Sequence, residues 1–98
     1  MYTYPVTLTR MQDGQYMVEF PDVPQALTYD KTKQAALAAA ESALYEALDQ
    51  YMEMRKEIST PSPLVAGSPH VSVMPMVEIK LTIYQAMKKQ RITQDALA

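Results

Sequence analysis

The chain has no cysteine, one histidine, two glycines and one phenylalanine among its 98 residues. Without cysteine there can be no disulfide and no thiolate metal site. His70 has neither a second histidine nor a thiolate with which to hold a metal. It follows a proline-rich stretch at the start of a strand-like run, and it reads as a structural histidine before it reads as a general base. Ser42, Ser59, Ser62, Ser68 and Ser72 have no acid–base partner except a chance approach of His70. Gly14 and Gly67 stand far apart and cannot form a glycine-rich phosphate loop. No apolar run approaches the roughly 18 residues that a membrane-spanning helix needs. Met1-Tyr2-Thr3-Tyr4-Pro5 lacks the basic and apolar regions of a secretion signal. These absences predict a cytoplasmic protein with no cofactor, no metal and no membrane partner.

What is present is one small domain with an ordinary apolar fraction of 48%. A chain this short buries only about 60–65% of its unfolded surface, so its stability margin is thin. The net charge of -2 hides an asymmetry. Residues 1–69 carry five basic and nine acidic residues, a net of -4. Residues 70–98 carry four basic and two acidic residues, a net of +2. The front part is therefore a poor electrostatic match for nucleic acid, whose phosphates dominate affinity.

Phe20-Pro21-Asp22-Val23-Pro24 organises the first half of the chain. Each proline keeps the residue before it extended. Before this block, Tyr4 to Met11 alternates, with Tyr4, Val6 and Leu8 on one side. That is the period of a half-buried strand. Gln12-Asp13-Gly14-Gln15 carries the Asp-Gly pair of a hairpin turn. Tyr16, Val18 and Phe20 form the apolar face of a second strand, and Gln25 to Tyr29 a short third. Residues 32–56 read as a helix, capped by Thr32 or Asp30 and rich in alanine. Its stripe is Leu37, Ala40, Leu44, Ala47, Leu48 and Tyr51, with Glu41, Glu46, Asp49 and Glu53 mostly off it. Residues 59–69 are a proline- and serine-rich loop. His70 to Met76 reads as a further strand ending near Pro75, and Glu78 to Gln90 as a helix. Arg91-Ile92 is expected to break that helix, with Thr93 capping a new one.

The fold class is accordingly α+β. A three-stranded antiparallel meander and a further strand pack on one long helix, a reduced ribonuclease-H-like layer, with a short C-terminal helical segment. The layer invites a nuclease reading, which needs several carboxylates converging on divalent ions. Neither the first strand nor His70 to Met76 carries an acid, and Glu19, Asp22, Asp30 and Glu41 are scattered. RNA binding would want aromatics interleaved with Lys or Arg on a sheet face, and the strands supply only Arg10. The chain therefore reads as a binding protein and not an enzyme. Tyr45, off the main stripe, is a candidate contact residue. Met52, Met54, Met74 and Met76 read first as core, though methionine also adapts to irregular partners. Ile92-Thr93-Gln94-Asp95-Ala96-Leu97-Ala98, behind a basic amphipathic helix, matches the opening of a helix-turn-helix. Its recognition helix is not in the sequence.

Tyr4-Pro5-Val6-Thr7-Leu8, Gly14 to Phe20, Pro21-Asp22-Val23-Pro24-Gln25-Ala26-Leu27-Thr28, the alanine-rich helix, Pro61-Ser62-Pro63-Leu64 and Ile92-Thr93-Gln94 together resemble the HicB family of antitoxins. The resemblance covers nearly the whole chain. It implies a partial ribonuclease-H-like domain without nuclease activity over residues 1–76. That domain would bind and block HicA, a small basic messenger-RNA-cleaving toxin. Residues 77–98 would open a truncated helix-turn-helix domain, which in complete members binds operator DNA and represses the operon. The expected toxin-facing residues are Asp22, Val23, Tyr45, Glu46, Asp49 and Glu53, and the DNA-facing ones Thr93 and Gln94. A homodimer or tetramer is expected, through Val71 to Met76 or Glu78 to Gln90. The competing readings are a DNA-binding regulator with an N-terminal sensing or oligomerising domain, an RNA-binding protein, and a ribonuclease.

Overall fold

The computed structural model describes residues 2–97, with side chains described through Gln90. The elements in chain order are β1 (Thr3–Pro5), β2 (Thr7–Arg10), β3 (Tyr16–Glu19), β4 (Leu27–Asp30), α1 (Lys33–Glu53), β5 (His70–Ser72) and α2 (Pro75–Leu97). The α+β class and the antiparallel meander on one long helix are as the sequence predicts. In the meander, β3 lies between β2 and β4, and both pairings are antiparallel.

The predicted first strand is two strands. β1 pairs antiparallel with β5, while β2 pairs with β3. Val6 sits between them, and its amide donates to the Pro69 carbonyl at 3.1 Å. The side-chain alternation survives this change of partner, since Tyr4 and Val6 are buried and Leu8 packs against the core. The hairpin turn falls where Asp-Gly places it. Gly14 has φ of 89°, a left-handed value that costs glycine nothing. The Met11 amide donates to the Gln15 carbonyl at 2.7 Å, closing the hairpin.

Beyond β3 the proline block makes two successive turns. The Val23 amide donates to the Phe20 carbonyl at 3.0 Å, and the Ala26 amide to the Val23 carbonyl at 2.9 Å. Phe20, Val23 and Ala26 all point inward and are buried.

Of the two candidate caps it is Thr32 that starts α1, its hydroxyl accepting from the Ala35 amide at 3.0 Å. It buries Ala36, Ala40, Leu44, Ala47 and Leu48, with Leu37 and Tyr51 half-buried at the edges. Small alanines let the helix axis approach the sheet, and Leu44 and Leu48 fill what remains. The helix ends three residues before the predicted 56. Arg55 turns left-handed, with φ of 56°. The Lys56 amide then reaches back to the Tyr51 carbonyl at 2.9 Å, and the Arg55 amide to Met52 at 3.1 Å. This is the paired hydrogen-bond signature of a Schellman stop.

The C-terminal third departs most from the sequence reading. β5 ends at Ser72, and Pro75 opens a helix where a strand was expected to run to Met76. Proline suits the first helical position, where its missing N–H has no partner to lose. α2 then runs as one element to Leu97, without the expected break at Arg91-Ile92. Nothing between 76 and 97 is glycine or proline, so no residue there interrupts a helix. Val77 and Leu81 on α2 belong to the same buried cluster as Tyr4, Phe20 and Leu44.

Candidate partner-binding face

The loop between α1 and β5 is tied down by three side chains. The Tyr4 hydroxyl donates to the Ser59 carbonyl at 2.8 Å, and the Tyr84 hydroxyl to the Lys56 carbonyl at 2.6 Å. Asp22 makes the third tie. One carboxylate oxygen accepts from the Ser62 amide and the other from the Ser62 hydroxyl, both at 2.7 Å. Burial holds the Tyr4 phenol well above its ordinary range, with smaller pushes from Tyr2, Asp22 and Tyr51. The phenol therefore remains a donor throughout the neutral range.

These ties bear on the candidate residues around the proline block. Asp22 is half-buried and directed at the loop. Val23 has no exposed side-chain surface at all. The prolines shape a turn whose carboxylate and apolar side chain both face the protein itself. Among the described residues, no group of three or more His, Cys, Asp or Glu is placed to hold a metal ion.

The α1 candidates have a different setting. Glu46, Asp49 and Glu53 are spaced three and four apart and so share one side of the helix. Glu46 and Glu53 are exposed and Asp49 half-buried. Asp49 and Glu53 form the rim of an open groove of about 400 Å³ between α1 and α2. Its floor is apolar: Met52 from α1, and Ile83, Tyr84 and Met87 from α2. Lys80 also lines the groove, and its ammonium lies over the Tyr45 ring, 5.5 Å from the centroid. A cation over an aromatic face is held by the ring quadrupole, so Lys80 and Tyr45 brace one another across the two helices. Tyr45 is half-buried and packed on the core, and does not itself line the groove.

The structure therefore brings Asp49 and Glu53 together at the groove, links Tyr45 to it through Lys80, leaves Glu46 on the same side of α1, and sets Asp22 and Val23 apart in the loop clasp. The side chains of Thr93 and Gln94 lie outside the described residues. Sequence reasoning did not find the contribution of α2 to the groove. The signal was available: Val77, Leu81 and Tyr84 follow one stripe, and Ile79, Ile83 and Met87 a second. The first stripe is buried or half-buried, whereas all three residues of the second are more than half exposed. Large apolar residues on both sides of one helix indicate two packing partners.

Residues 3–88 match a family described as the HicB-like antitoxin of bacterial toxin-antitoxin systems. The chain is 42% identical over 95 residues to antitoxin HicB of Escherichia coli strain K12, spanning 97% of this chain and 69% of that protein. It is 39% identical over 95 residues to antitoxin HicB 1 of Photorhabdus laumondii, spanning 97% of this chain and 60% of that one. The fold is similar to that of the N-terminal domain of Burkholderia pseudomallei antitoxin HicB, with a TM-score of 0.59 at 17% identity, covering 74% of this chain and 95% of that one. A family match running from β1 into α2, with 42% identity to the Escherichia coli antitoxin over 97% of this chain, places this chain in the HicB-like family of bacterial toxin-antitoxin antitoxins.

Proposed function

We propose that this chain neutralises a small, basic, messenger-RNA-cleaving toxin of the HicA type by covering the surface with which the toxin grips RNA. The observation that carries this reading is the row of carboxylates Glu46, Asp49 and Glu53 along one side of α1. A protein that grips RNA must present positive charge to phosphate. An acidic row on a chain segment of net charge -4 competes with phosphate for that charge. Opposed charges also steer the encounter, raising the association rate more than the final affinity.

The test is RNA cleavage by the purified toxin, titrated with this chain. Inhibition should be complete near stoichiometric ratio. The triple change Glu46→Lys, Asp49→Lys and Glu53→Lys should slow association by at least about tenfold at low salt and flatten its salt dependence. Full cleavage in excess of the unaltered chain would refute neutralisation. Unaltered association by the triple variant would remove α1 from the interface.

A further inference from the structure

The acidic row accounts for attraction and leaves the apolar groove beside it unexplained. The groove is not a by-product of poor packing, because Leu44 and Leu48 of α1 and Leu81 of α2 are fully buried in the core. Ile83 and Met87 on its floor are nevertheless 55% and 54% exposed. An apolar furrow lined by residues of both helices offers a seat for an amphipathic helix, whose anchors enter at three- and four-residue spacing. Methionines on the floor suit such a seat, since flexible thioethers adapt to the anchor that arrives.

The rim narrows the identity of the occupant. Asp49 and Glu53 stand on the α1 side, and Glu46 extends the same row. Lys80, which lines the groove, is drawn toward the Tyr45 ring. An acidic guest would meet carboxylates along α1. A neutral apolar guest would leave them without a counter-charge. A guest with Lys or Arg on one side of an apolar stripe satisfies both floor and rim.

We infer that the α1–α2 groove receives an amphipathic, basic helical segment of the toxin, its large apolar anchors on Met52, Ile83 and Met87 and its cations on Asp49 and Glu53. This rests on the neutralisation reading and adds a second role to the same face. The carboxylates govern how fast the toxin arrives, and the floor governs how long it stays. Most affinity differences within one interface lie in the dissociation rate, and apolar anchors in a pocket set that rate.

The experiment measures association and dissociation of the purified toxin on three forms of this chain, with RNA cleavage read alongside. The forms are unaltered, Ile83→Ser with Met87→Ser, and the triple lysine variant. Ile83 and Met87 are more than half exposed, so the serine variant should fold, which its thermal transition checks. The serine variant should dissociate at least tenfold faster, with association rate and salt slope unchanged. The lysine variant should show the opposite pattern. A Met87→Cys form, in a chain with no other cysteine, should carry a photo-cross-linker onto a basic segment of the toxin. Unchanged dissociation of the serine variant, with inhibition intact, would overturn the groove assignment while leaving neutralisation standing. Cross-linking of the Met87→Cys form to a second copy of this chain, with toxin dissociation unchanged, would overturn it in favour of self-association. Failure of the unaltered chain to inhibit cleavage would instead remove the functional reading on which the groove assignment rests.

Discussion

Tyr4 shows how one side chain can serve core and loop together. Its ring is fully buried, and its hydroxyl reaches the Ser59 carbonyl. The alternation of the first strand points Tyr4 inward, but no sequence pattern indicates what its hydroxyl meets 55 residues later. The same holds for Asp22. Its place between two prolines is legible, and its bond to Ser62 is not, because the loop's path depends on where α1 stops. A pH dependence follows from Tyr4. The folded state raises the phenol above its ordinary 10.0, chiefly by burial. A raised value means that the neutral form stabilises the fold. That contribution is complete below about pH 10 and is lost as pH climbs from there toward the folded value. Urea unfolding from pH 7 to pH 11 should therefore show stability falling above about pH 10, by at most about 1.4 kcal/mol per pH unit from this group. Tyr4→Phe should cost about 0.5–1.5 kcal/mol at pH 7 for the lost hydrogen bond and flatten the alkaline fall. An equally steep alkaline fall in the phenylalanine variant would assign it to other groups.

At the scale of elements, the sequence was most readable where one physical signal acts alone. The alanine stripe, the Thr32 cap and the Asp-Gly hairpin each have a single local cause, and all three lie where expected. Legibility fell where one residue type supports two structures. Pro75 could close an edge strand or open a helix, and only packing of Val77 and Leu81 into the core decides for the helix. The long Tyr4 to Met11 alternation could serve one sheet partner or two, and β5 arrives from 65 to 69 residues away to take the first half. The end of α1 is the other case. Arg55 occupies a left-handed position that glycine would fill without strain. A non-glycine residue there costs about 1–2 kcal/mol. Glycine has its own entropic penalty of about 0.5–1 kcal/mol. Arg55→Gly should therefore stabilise the chain by about 0.5–1 kcal/mol in chemical denaturation, with an unchanged denaturant slope. A neutral or destabilising result would mean that the Arg55 side chain contributes more than its backbone strain removes.

For the molecule as a whole, the deciding feature is that α2 shares its core with the strands and α1. The resemblance to the HicB family implies a domain boundary between residues 76 and 77. A family resemblance cannot report that Val77 and Leu81 turn back into the cluster around Phe20 and Leu44. The candidate site follows the same division. Its acidic row was legible as charges off an apolar stripe, while its floor depends on Ile83, Tyr84 and Met87 of α2 joining Met52 of α1 around one groove. A shared core has a thermodynamic consequence. A boundary near 76 would let α2 melt independently, whereas one core makes α2 and the meander unfold together. Leu81 is fully buried and lies on the α2 side of the supposed boundary. Leu81→Ala should cost about 2–5 kcal/mol, a large share of the roughly 5–15 kcal/mol that holds a small domain. That loss should appear in full in the exchange of β3 and α1 amides, far along the chain from the substitution. Native-state hydrogen exchange on the unaltered and Leu81→Ala chains makes the comparison directly. Equal losses of protection in β3, α1 and residues 77–84 establish one cooperative unit. Loss confined to residues 77–84, with β3 and α1 protected as before, would support the boundary that the resemblance implies.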